Sequence, residues 1–194
     1  MWIKICGMTT AAAVTAALEA GVDAIGFVFA ESVRRVTPEF ALELAVQARG
    51  RVSLVAVLRR PTQREVDSVL AVFAPDILQA DAHELRTLRL PKELGLLPVV
   101  RAGNEARPLP ARILFEGPVS GTGLPCDWTR AAALAVETQL VLAGGLTVDN
   151  VAAAISAVEP FGVDVSSGVE ERPGVKSALK IARFAQAARE VALT

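Results

Sequence analysis

The sequence has little of what metal centres, disulfide frameworks and membrane spans require. It contains one histidine and two cysteines, and the cysteines, Cys6 and Cys126, lie far apart, so no zinc-ligand spacing is present. We expect no metal, and we expect both thiols to be free because the chain shows no secretory signal. No apolar run approaches the about 20 residues that cross a bilayer. These features predict a cytoplasmic protein without a membrane partner.

An excess of charge of one sign is also lacking. The chain has 20 Lys+Arg and 21 Asp+Glu, a net charge of −1, and neither half holds a long basic run. This balance argues against nucleic acid as a partner. At 194 residues the chain can bury one sizeable core, whereas a second domain would be cramped. We predict a single domain over residues 1–194.

Short apolar segments alternate with amphipathic helical patterns along the whole chain. The predicted strands are 2–6, 23–29, 52–58, 76–79, 97–101, 112–116, 140–143 and 161–165. The predicted helices are 10–20, 38–48, 62–73, 83–88, 127–136, 148–158 and 177–191. Residues 102–110 are rich in proline and glycine, so we expect the fifth unit to have a loop in place of its helix.

Eight β units that alternate with helices predict a parallel sheet, and eight strands can close into a barrel. The fold class is therefore α/β, a single (β/α)8 TIM barrel. The near-continuous apolar strands suit a sheet that is covered on both faces. An open doubly wound sheet is the alternative. That fold normally has a glycine-rich turn after its first strand, and here the turn carries only Gly7.

Two glycine- or hydroxyl-containing turns follow the last two predicted strands. They contain Gly144-Gly145 and Ser166-Ser167-Gly168, and each precedes a helical pattern. Backbone N–H groups at such turns, together with a helix dipole, can bind phosphate. In (β/α)8 barrels the phosphate site is frequently formed after strands seven and eight. A phosphorylated small molecule is the predicted ligand.

Reactive side chains of a barrel lie at the carboxyl ends of its strands. Cys6 ends the first predicted strand and shares strand parity with Lys4, whose ammonium group would favour a thiolate. Cys6 is thus a candidate base or nucleophile. The alternative is a small buried cysteine beside a lysine that pairs with an acid.

Glu116 ends the sixth predicted strand, where a carboxyl that faces an apolar pocket can act as a general acid. The alternative is a salt bridge to Arg101 or Arg112. Arg34 and Arg35 follow the second strand and are either solvated or able to bind a carboxylate bidentately.

Four charged residues near these segments receive no functional assignment. We expect His83 at the surface and a solvated rim near the end of the chain. The rim residues are Glu171, Arg172 and Lys176.

Taken together, these segments resemble the phosphoribosylanthranilate isomerase family of tryptophan biosynthesis, and the resemblance covers nearly the whole chain. It implies an Amadori rearrangement of N-(5-phosphoribosyl)anthranilate to 1-(2-carboxyphenylamino)-1-deoxyribulose 5-phosphate, without cofactor or metal. The matching motifs are residues 4–9, 26–29 with 32–36, 121–123 with 127–128, 142–146, and 164–170 with 173–176.

The resemblance also implies roles for individual residues. Cys6 matches the general base, Glu116 falls at the general acid, and Arg34 should face the anthranilate carboxylate. Lys4 and Asp164 would support the reacting groups from behind. The backbone amides expected to bind the phosphate belong to Gly144, Gly145, Ser167 and Gly168.

The chain departs from the family pattern in three places. Glu116 stands where the family typically has aspartate, Gln79-Ala80-Asp81-Ala82 replaces Gln-Leu-His-Gly, and the fifth helix is missing. Two alternatives therefore stay open: another phosphate-binding barrel enzyme, and a barrel that binds a phosphorylated metabolite without catalysis. The sequence does not distinguish a monomer from a homodimer.

Overall fold

The computed structural model describes residues 1–103, 108–117 and 126–191. Eight parallel strands form a closed barrel in the order β1 to β8, which confirms the predicted fold class and excludes the open sheet. The barrel strands are β1 (Trp2–Cys6), β2 (Ala24–Val28), β3 (Ser53–Val57), β4 (Ile77–Asp81), β5 (Gly95–Arg101), β6 (Arg112–Glu116), β7 (Gln139–Leu142) and β8 (Gly162–Val165).

Helices follow seven of the eight strands within the described part of the chain. They are α1 (Ala11–Glu19), α2 (Pro38–Ala45), α3 (Gln63–Val72), α4 (Ala82–Leu85), α5 (Trp128–Ala135), α6 (Val151–Val158) and α7 (Ala178–Val191). Between β5 and β6 the described residues, 102–103 and 108–111, contain no helix, as expected for the fifth unit. None of the described helices is long and apolar enough to cross a membrane.

Threonine side chains fix the start of the first three helices. Thr10, Thr37 and Thr62 each accept a hydrogen bond from the backbone N–H three residues later. Thr62 also forms a reciprocal capping box with Glu65. These contacts satisfy amide groups that have no partner inside the helix, so each helix begins where its strand–helix loop ends.

The two faces of the strands bury different sets of residues. One set packs between the barrel and the surrounding helices, and it includes Ile3, Ile5, Val163 and Val165. A smaller, separate cluster lies inside the barrel; its buried members are Leu97, Val99, Leu114, Val141 and Ala143. Because side chains alternate along a strand, the residues between the helix-facing positions of β1 and β8 point into the barrel.

Pairing of β1 with β8 closes the barrel and places Lys4 opposite Asp164. On the other side of β1, Cys6 lies opposite Gly26 of β2. Lys4, Asp164, Cys6 and Gly26 therefore meet inside the barrel, at the carboxyl-end side of its apolar cluster.

The structure differs from the predicted elements near two strand ends. The fourth strand continues to Asp81, two residues beyond the predicted end at Gln79, because its ladder with β5 continues as far as Val99. After β8, a short 3-10 turn leads into an antiparallel pair of strands, β9 (Glu170–Arg172) and β10 (Val175–Lys176). The predicted motif at 121–123 lies outside the described residues.

Candidate active site at the carboxyl end of the barrel

A cavity of about 190 Å³ opens at the carboxyl ends of the strands. It is the place where a (β/α)8 barrel presents its reactive side chains. Seven of the nine residues predicted for the site line it: Cys6, Arg34, Glu116, Gly144, Gly145, Asp164 and Ser167. Lys4 lies behind Cys6 and Asp164, and Gly168 lies behind the turn that contains Ser167.

Lys4 forms a buried ion pair with Asp164 at the floor of the cavity. Its Nζ donates to Asp164 Oδ1 at 2.9 Å, and the lysine side chain has no exposed surface. Burial lowers the pKa of Lys4, but Asp164 and Cys6 more than compensate, and the pKa lies above its ordinary value. The alternative in which Lys4 pairs with an acid is therefore observed. It does not exclude a functional Cys6, because the pair lies directly beneath the sulfur.

Gly26 makes room for this arrangement. A Cβ atom at Gly26 would lie 3.1 Å from Cys6 Sγ and 3.3 Å from Lys4 Nζ. The sulfur and the ammonium group thus converge on the space that a side chain at this position would fill. This role of Gly26 is not predictable from the sequence, since it depends on the register between β1 and β2.

The protonation of Cys6 is set by opposing effects. Burial raises the pKa of the Cys6 thiol above its ordinary value, while the nearby Lys4 and Lys176 act in the opposite direction. The expectation that Lys4 favours the thiolate therefore left out burial, which has the larger effect on the pKa of Cys6. Because its pKa is raised, Cys6 is mainly a thiol at neutral pH, and its conjugate thiolate is a correspondingly stronger base.

Glu116 shares one arginine with a second carboxylate. Arg101 Nη2 donates to Glu116 Oε1 at 2.7 Å, and Arg101 Nη1 donates to Asp81 Oδ1 at 2.6 Å. All three residues line the cavity. The predicted alternative of a Glu116–Arg101 salt bridge is thus present. Arg112 is elsewhere, with its guanidinium 4.4 Å from the centre of the Phe161 ring.

Arg34 and Arg35 occupy different surroundings. Arg34 lines the cavity, and its guanidinium donates from Nε and Nη2 to the two carboxylate oxygens of Glu170, at 2.7 and 2.8 Å. Arg35 is exposed and lines a separate depression beside the start of α2. Of the two arginines, only Arg34 can therefore contact a ligand in the main cavity.

The two turns predicted to bind phosphate lie against each other at one end of the cavity. Gly144 and Gly145 have positive φ angles of 88° and 67°, a conformation that favours glycine. A Cβ at Gly168 would lie 1.9 Å from the carbonyl oxygen of Leu146, so the turns pack too closely for any side chain there.

Asn150 stabilises the turn after β7. Its Oδ1 accepts from Thr147 N at 2.8 Å, and its Nδ2 donates to Gly145 O at 2.9 Å. The observed α6 begins at Val151, three residues after the predicted start at Val148.

The solvated rim predicted near the end of the chain is wrong for one residue. Glu171 and Arg172 are exposed as expected, but Lys176 is buried and its Nζ donates to Glu170 Oε1 at 2.8 Å. The cause is the β9–β10 pair, whose register places Lys176 beside Glu170. Glu170 lies in the matching segment 164–170, but no role for it is predicted from the sequence.

One group of potential metal ligands occurs among the described residues. Oxygen and nitrogen atoms of Asp81, His83 and Glu84 lie within 4.8 Å of one another. Asp81 is already engaged by Arg101, and the His83 side chain is 69% exposed, which confirms its predicted surface position. The arrangement gives no reason to assign a metal there.

A closed (β/α)8 barrel in which a thiol, a carboxyl group and an arginine face one cavity, with glycine turns at its edge, defines a barrel enzyme that acts on a small molecule. The profile of the family described as N-(5'phosphoribosyl)anthranilate (PRA) isomerase matches residues 3–187. The chain belongs to this family.

Comparisons with individual relatives support this family membership. The N-(5'-phosphoribosyl)anthranilate isomerase of Rhizobium johnstonii is 38% identical, over 94% of this chain and 91% of its own length. The enzyme of the same name from Streptococcus mutans is 36% identical, over 97% of this chain and 98% of its own length. The crystal structure of phosphoribosyl anthranilate isomerase from Thermus thermophilus superposes with a TM-score of 0.85 at 27% identity, covering 98% of this chain and 100% of that one.

A further solved structure carries a ligand. It is a phosphoribosyl anthranilate isomerase in complex with reduced 1-(o-carboxyphenylamino)-1-deoxyribulose 5-phosphate. It matches this chain with a TM-score of 0.80 and 30% identity, and covers 98% of this chain and 99% of that one.

Proposed function

We propose that this chain catalyses the Amadori rearrangement of N-(5-phosphoribosyl)anthranilate in tryptophan biosynthesis, with Cys6 as general base and Glu116 as general acid. The proposal rests on one observation: a single cavity is lined by Cys6, Glu116, Arg34 and the glycine turn at Gly144. This arrangement supplies a base, an acid and two anion-binding positions for a substrate that has a carboxylate at one end and a phosphate at the other.

The reaction requires one proton donor and one proton acceptor. Glu116 protonates the ribose ring oxygen, the C1′–O bond breaks, and the nitrogen lone pair forms the C=N bond of a Schiff base. The Cys6 thiolate then removes the C2′ proton, and the electron pair of that C–H bond moves to give an enolamine. Tautomerisation of the enol to the ketone, with protonation at C1′, completes the isomerisation. Each acid or base step contributes roughly 10² to 10⁴ in rate.

Binding of both ends of the substrate would align it with these groups. Arg34 supplies a planar fork that suits a carboxylate, and the turns containing Gly144, Gly145, Ser167 and Gly168 supply the phosphate site. Lys4 and Asp164 support Cys6 from below, where the buried ion pair limits movement of the sulfur.

Arg101 holds the proposed acid in the cavity. One guanidinium binds two carboxyl groups, Asp81 and Glu116. Asp81 stands in the segment where the family usually has histidine, so both departures from the family pattern contact the same arginine.

The direct test is an activity measurement. Purified protein is incubated with freshly prepared phosphoribosylanthranilate, and the fluorescence of the substrate is followed. We expect an enzyme-dependent fall in fluorescence that disappears in Cys6→Ala. A protein that bound the substrate without catalysis would leave the signal unchanged, and this outcome would refute the proposal.

We also propose a cytoplasmic location, because a thiol base needs a reducing compartment and both cysteines are unpaired. The quaternary state is proposed as monomer or homodimer. One relative, the phosphoribosylanthranilate isomerase of Thermotoga maritima, is a dimeric enzyme from which monomers have been generated. Sedimentation analysis of this protein will distinguish the two states.

A further inference from the structure

Glu170 is a buried carboxylate at the edge of the cavity, and four donors converge on it. Its side chain is 5% exposed. Oε1 accepts hydrogen bonds from Arg34 Nε at 2.7 Å and from Lys176 Nζ at 2.8 Å. Oε2 accepts from Arg34 Nη2 at 2.8 Å and from Gly174 N at 3.2 Å. A carboxylate held by this many donors has little freedom to move.

The contact with Glu170 uses only one edge of the Arg34 guanidinium. Arginine has five N–H donors in a planar fork, and Glu170 takes two of them, on Nε and Nη2. No other hydrogen bond from this guanidinium is found among the described residues. Because Arg34 lines the cavity, a ligand carboxylate can bind end-on across Nη1 and Nη2 while Glu170 holds the side edge.

The far side of Glu170 is connected to the strand ends beside Cys6. Lys176 Nζ also donates to the carbonyl oxygen of Ser166 at 3.0 Å and to its hydroxyl oxygen at 3.2 Å. The Ser166 hydroxyl in turn donates to the carbonyl oxygen of Cys6 at 3.0 Å. This chain of contacts fixes the position of the Arg34 fork relative to the proposed base.

The Arg34 side chain is confined from the other direction by Gly7. A Cβ at Gly7 would lie 2.6 Å from Arg34 Cδ, and Gly7 has a φ of +81°. The aliphatic part of Arg34 therefore lies directly on the backbone that follows Cys6.

The charge of Glu170 is maintained over the physiological range. Burial raises the pKa of Glu170, but hydrogen bonds from Arg34 and Lys176 outweigh this effect and hold the pKa at about 2. The carboxylate thus remains ionised at any pH at which the enzyme operates.

We infer that Glu170 is a positioning residue for recognition of the substrate's aromatic carboxylate: it orients the Arg34 fork so that the end-on edge faces the cavity. The inference rests on the proposed function, because the carboxylate in question is that of the anthranilate group. Without Glu170, Arg34 loses its bidentate partner and can rotate about its side-chain torsions. Affinity for a carboxylate ligand then falls by about 10- to 100-fold, the range expected for losing one or two charge-assisted hydrogen bonds.

Two ligands separate this role from a general structural one. The first is reduced 1-(o-carboxyphenylamino)-1-deoxyribulose 5-phosphate, and the second is the same molecule without the carboxyl group. Their dissociation constants are measured by calorimetry for the wild type, for Glu170→Gln, and for Glu171→Gln as a matched control on the exposed neighbouring position. The ratio of the two constants reports recognition of the carboxylate alone.

We expect Glu170→Gln to lose about 10- to 100-fold in affinity for the carboxylate ligand while its affinity for the other ligand stays within about threefold. The Glu171→Gln control should match the wild type with both ligands. In an Arg34→Met background, Glu170→Gln should have no further effect on the ratio. An equal loss for both ligands, or an unchanged ratio, would overturn the inference.

Replacement of a buried charge can prevent folding, so a second variant keeps the test decisive. Glu170→Asp retains the charge but withdraws the oxygens by about one C–C bond, and we expect a ratio between those of the wild type and Glu170→Gln. An unchanged ratio in a folded Glu170→Asp protein would refute the inference if Glu170→Gln did not fold.

Failure of the proposed function gives a different result. A wild type that discriminates between the two ligands but leaves phosphoribosylanthranilate unchanged would refute catalysis and leave the positioning role standing. A wild type that isomerises the substrate, with an unaltered ratio in Glu170→Gln, would refute only the positioning role.

Discussion

Replacing Gly26 with alanine adds one methyl group at the point where the proposed base meets its buried lysine. The new Cβ would lie 3.1 Å from Cys6 Sγ, 3.2 Å from Lys4 Cε and 3.3 Å from Lys4 Nζ. Favourable carbon contacts are about 3.5 to 4.0 Å, so the sulfur must move by roughly 0.5 Å. Lys4 cannot simply withdraw, because its Nζ is bound to Asp164 at 2.9 Å.

Two effects of known size follow from this crowding. Overpacking of a well-packed interior typically costs about 1–3 kcal/mol of stability. Displacement of a reacting group by about 1 Å can cost roughly 10²-fold in rate, so a smaller shift predicts about a tenfold loss in kcat for Gly26→Ala. KM should change less, because the proposed carboxylate and phosphate positions lie on other loops.

Urea denaturation and steady-state kinetics on the same preparations measure both effects. Cys6→Ala provides the matched background, since it removes the sulfur that the new methyl group would approach. In a double-mutant cycle, Gly26→Ala should cost less stability in that background, and the coupling should be about 0.5–3 kcal/mol.

Some loss is expected to remain in the double variant, because the Lys4 contacts persist. The reasoning would be refuted by a Gly26→Ala protein with wild-type stability and kcat. That result would mean that the sulfur and the ammonium group do not converge on this space.

Four further predictions can be checked independently. Glu116→Gln should reduce kcat by about 10² to 10⁴ with little change in KM, as seen in fluorescence progress curves; a variant that kept most of its kcat would show that Glu116 is not the acid. Arg34→Met should raise KM for phosphoribosylanthranilate by about tenfold or more, whereas Arg35→Met should behave as the wild type. Because burial raises the pKa of Cys6, its alkylation by iodoacetamide, followed by mass spectrometry, should increase with pH to a midpoint above the usual value for a thiol; a midpoint near neutrality would contradict this. Glu170 has a folded-state pKa of about 2 against an ordinary 4.5, so it should contribute up to about 3 kcal/mol of stability above pH 4.5 that is lost as the pH falls towards 2. Denaturant unfolding at several pH values should show that this dependence is reduced in Glu170→Gln.

Most of the fold could be predicted because the strands are apolar, short and separated by capped helices. Each predicted strand overlaps an observed one, and the first and third helices begin one residue after their predicted starts at residues 10 and 62. The predicted fourth strand ends at Gln79, a polar residue, whereas the observed strand continues for two more residues. The Gln79 side chain is buried at the edge of the cavity, and a polar residue in that position does not terminate a parallel ladder.

The part of the site that could be predicted consists of residues at strand ends. Cys6, Glu116 and Asp164 needed only strand parity and the rule that barrels are reactive at their carboxyl ends. Glu170 and Lys176 could not be found in this way, since they lie beyond the last strand of the barrel, in the β9–β10 hairpin. The Pro173-Gly174 pair between them is a turn signal, and a hairpin built on it would have brought the two charges together.

The arrangement of charge around Cys6 connects these residues to the chemistry. Lys4, Arg34 and Lys176 all interact electrostatically with the thiol. The carboxylates that pair with them are Asp164 and Glu170, so the cluster has three cations and two anions while Cys6 is protonated. Loss of the thiol proton makes the cluster neutral, which opposes the cost of burying a thiolate. Neutralising Lys4 or Lys176 should therefore raise the midpoint of Cys6 alkylation further. Neutralising Glu170 should lower it, and an unchanged midpoint in all three variants would show that burial alone governs the thiol.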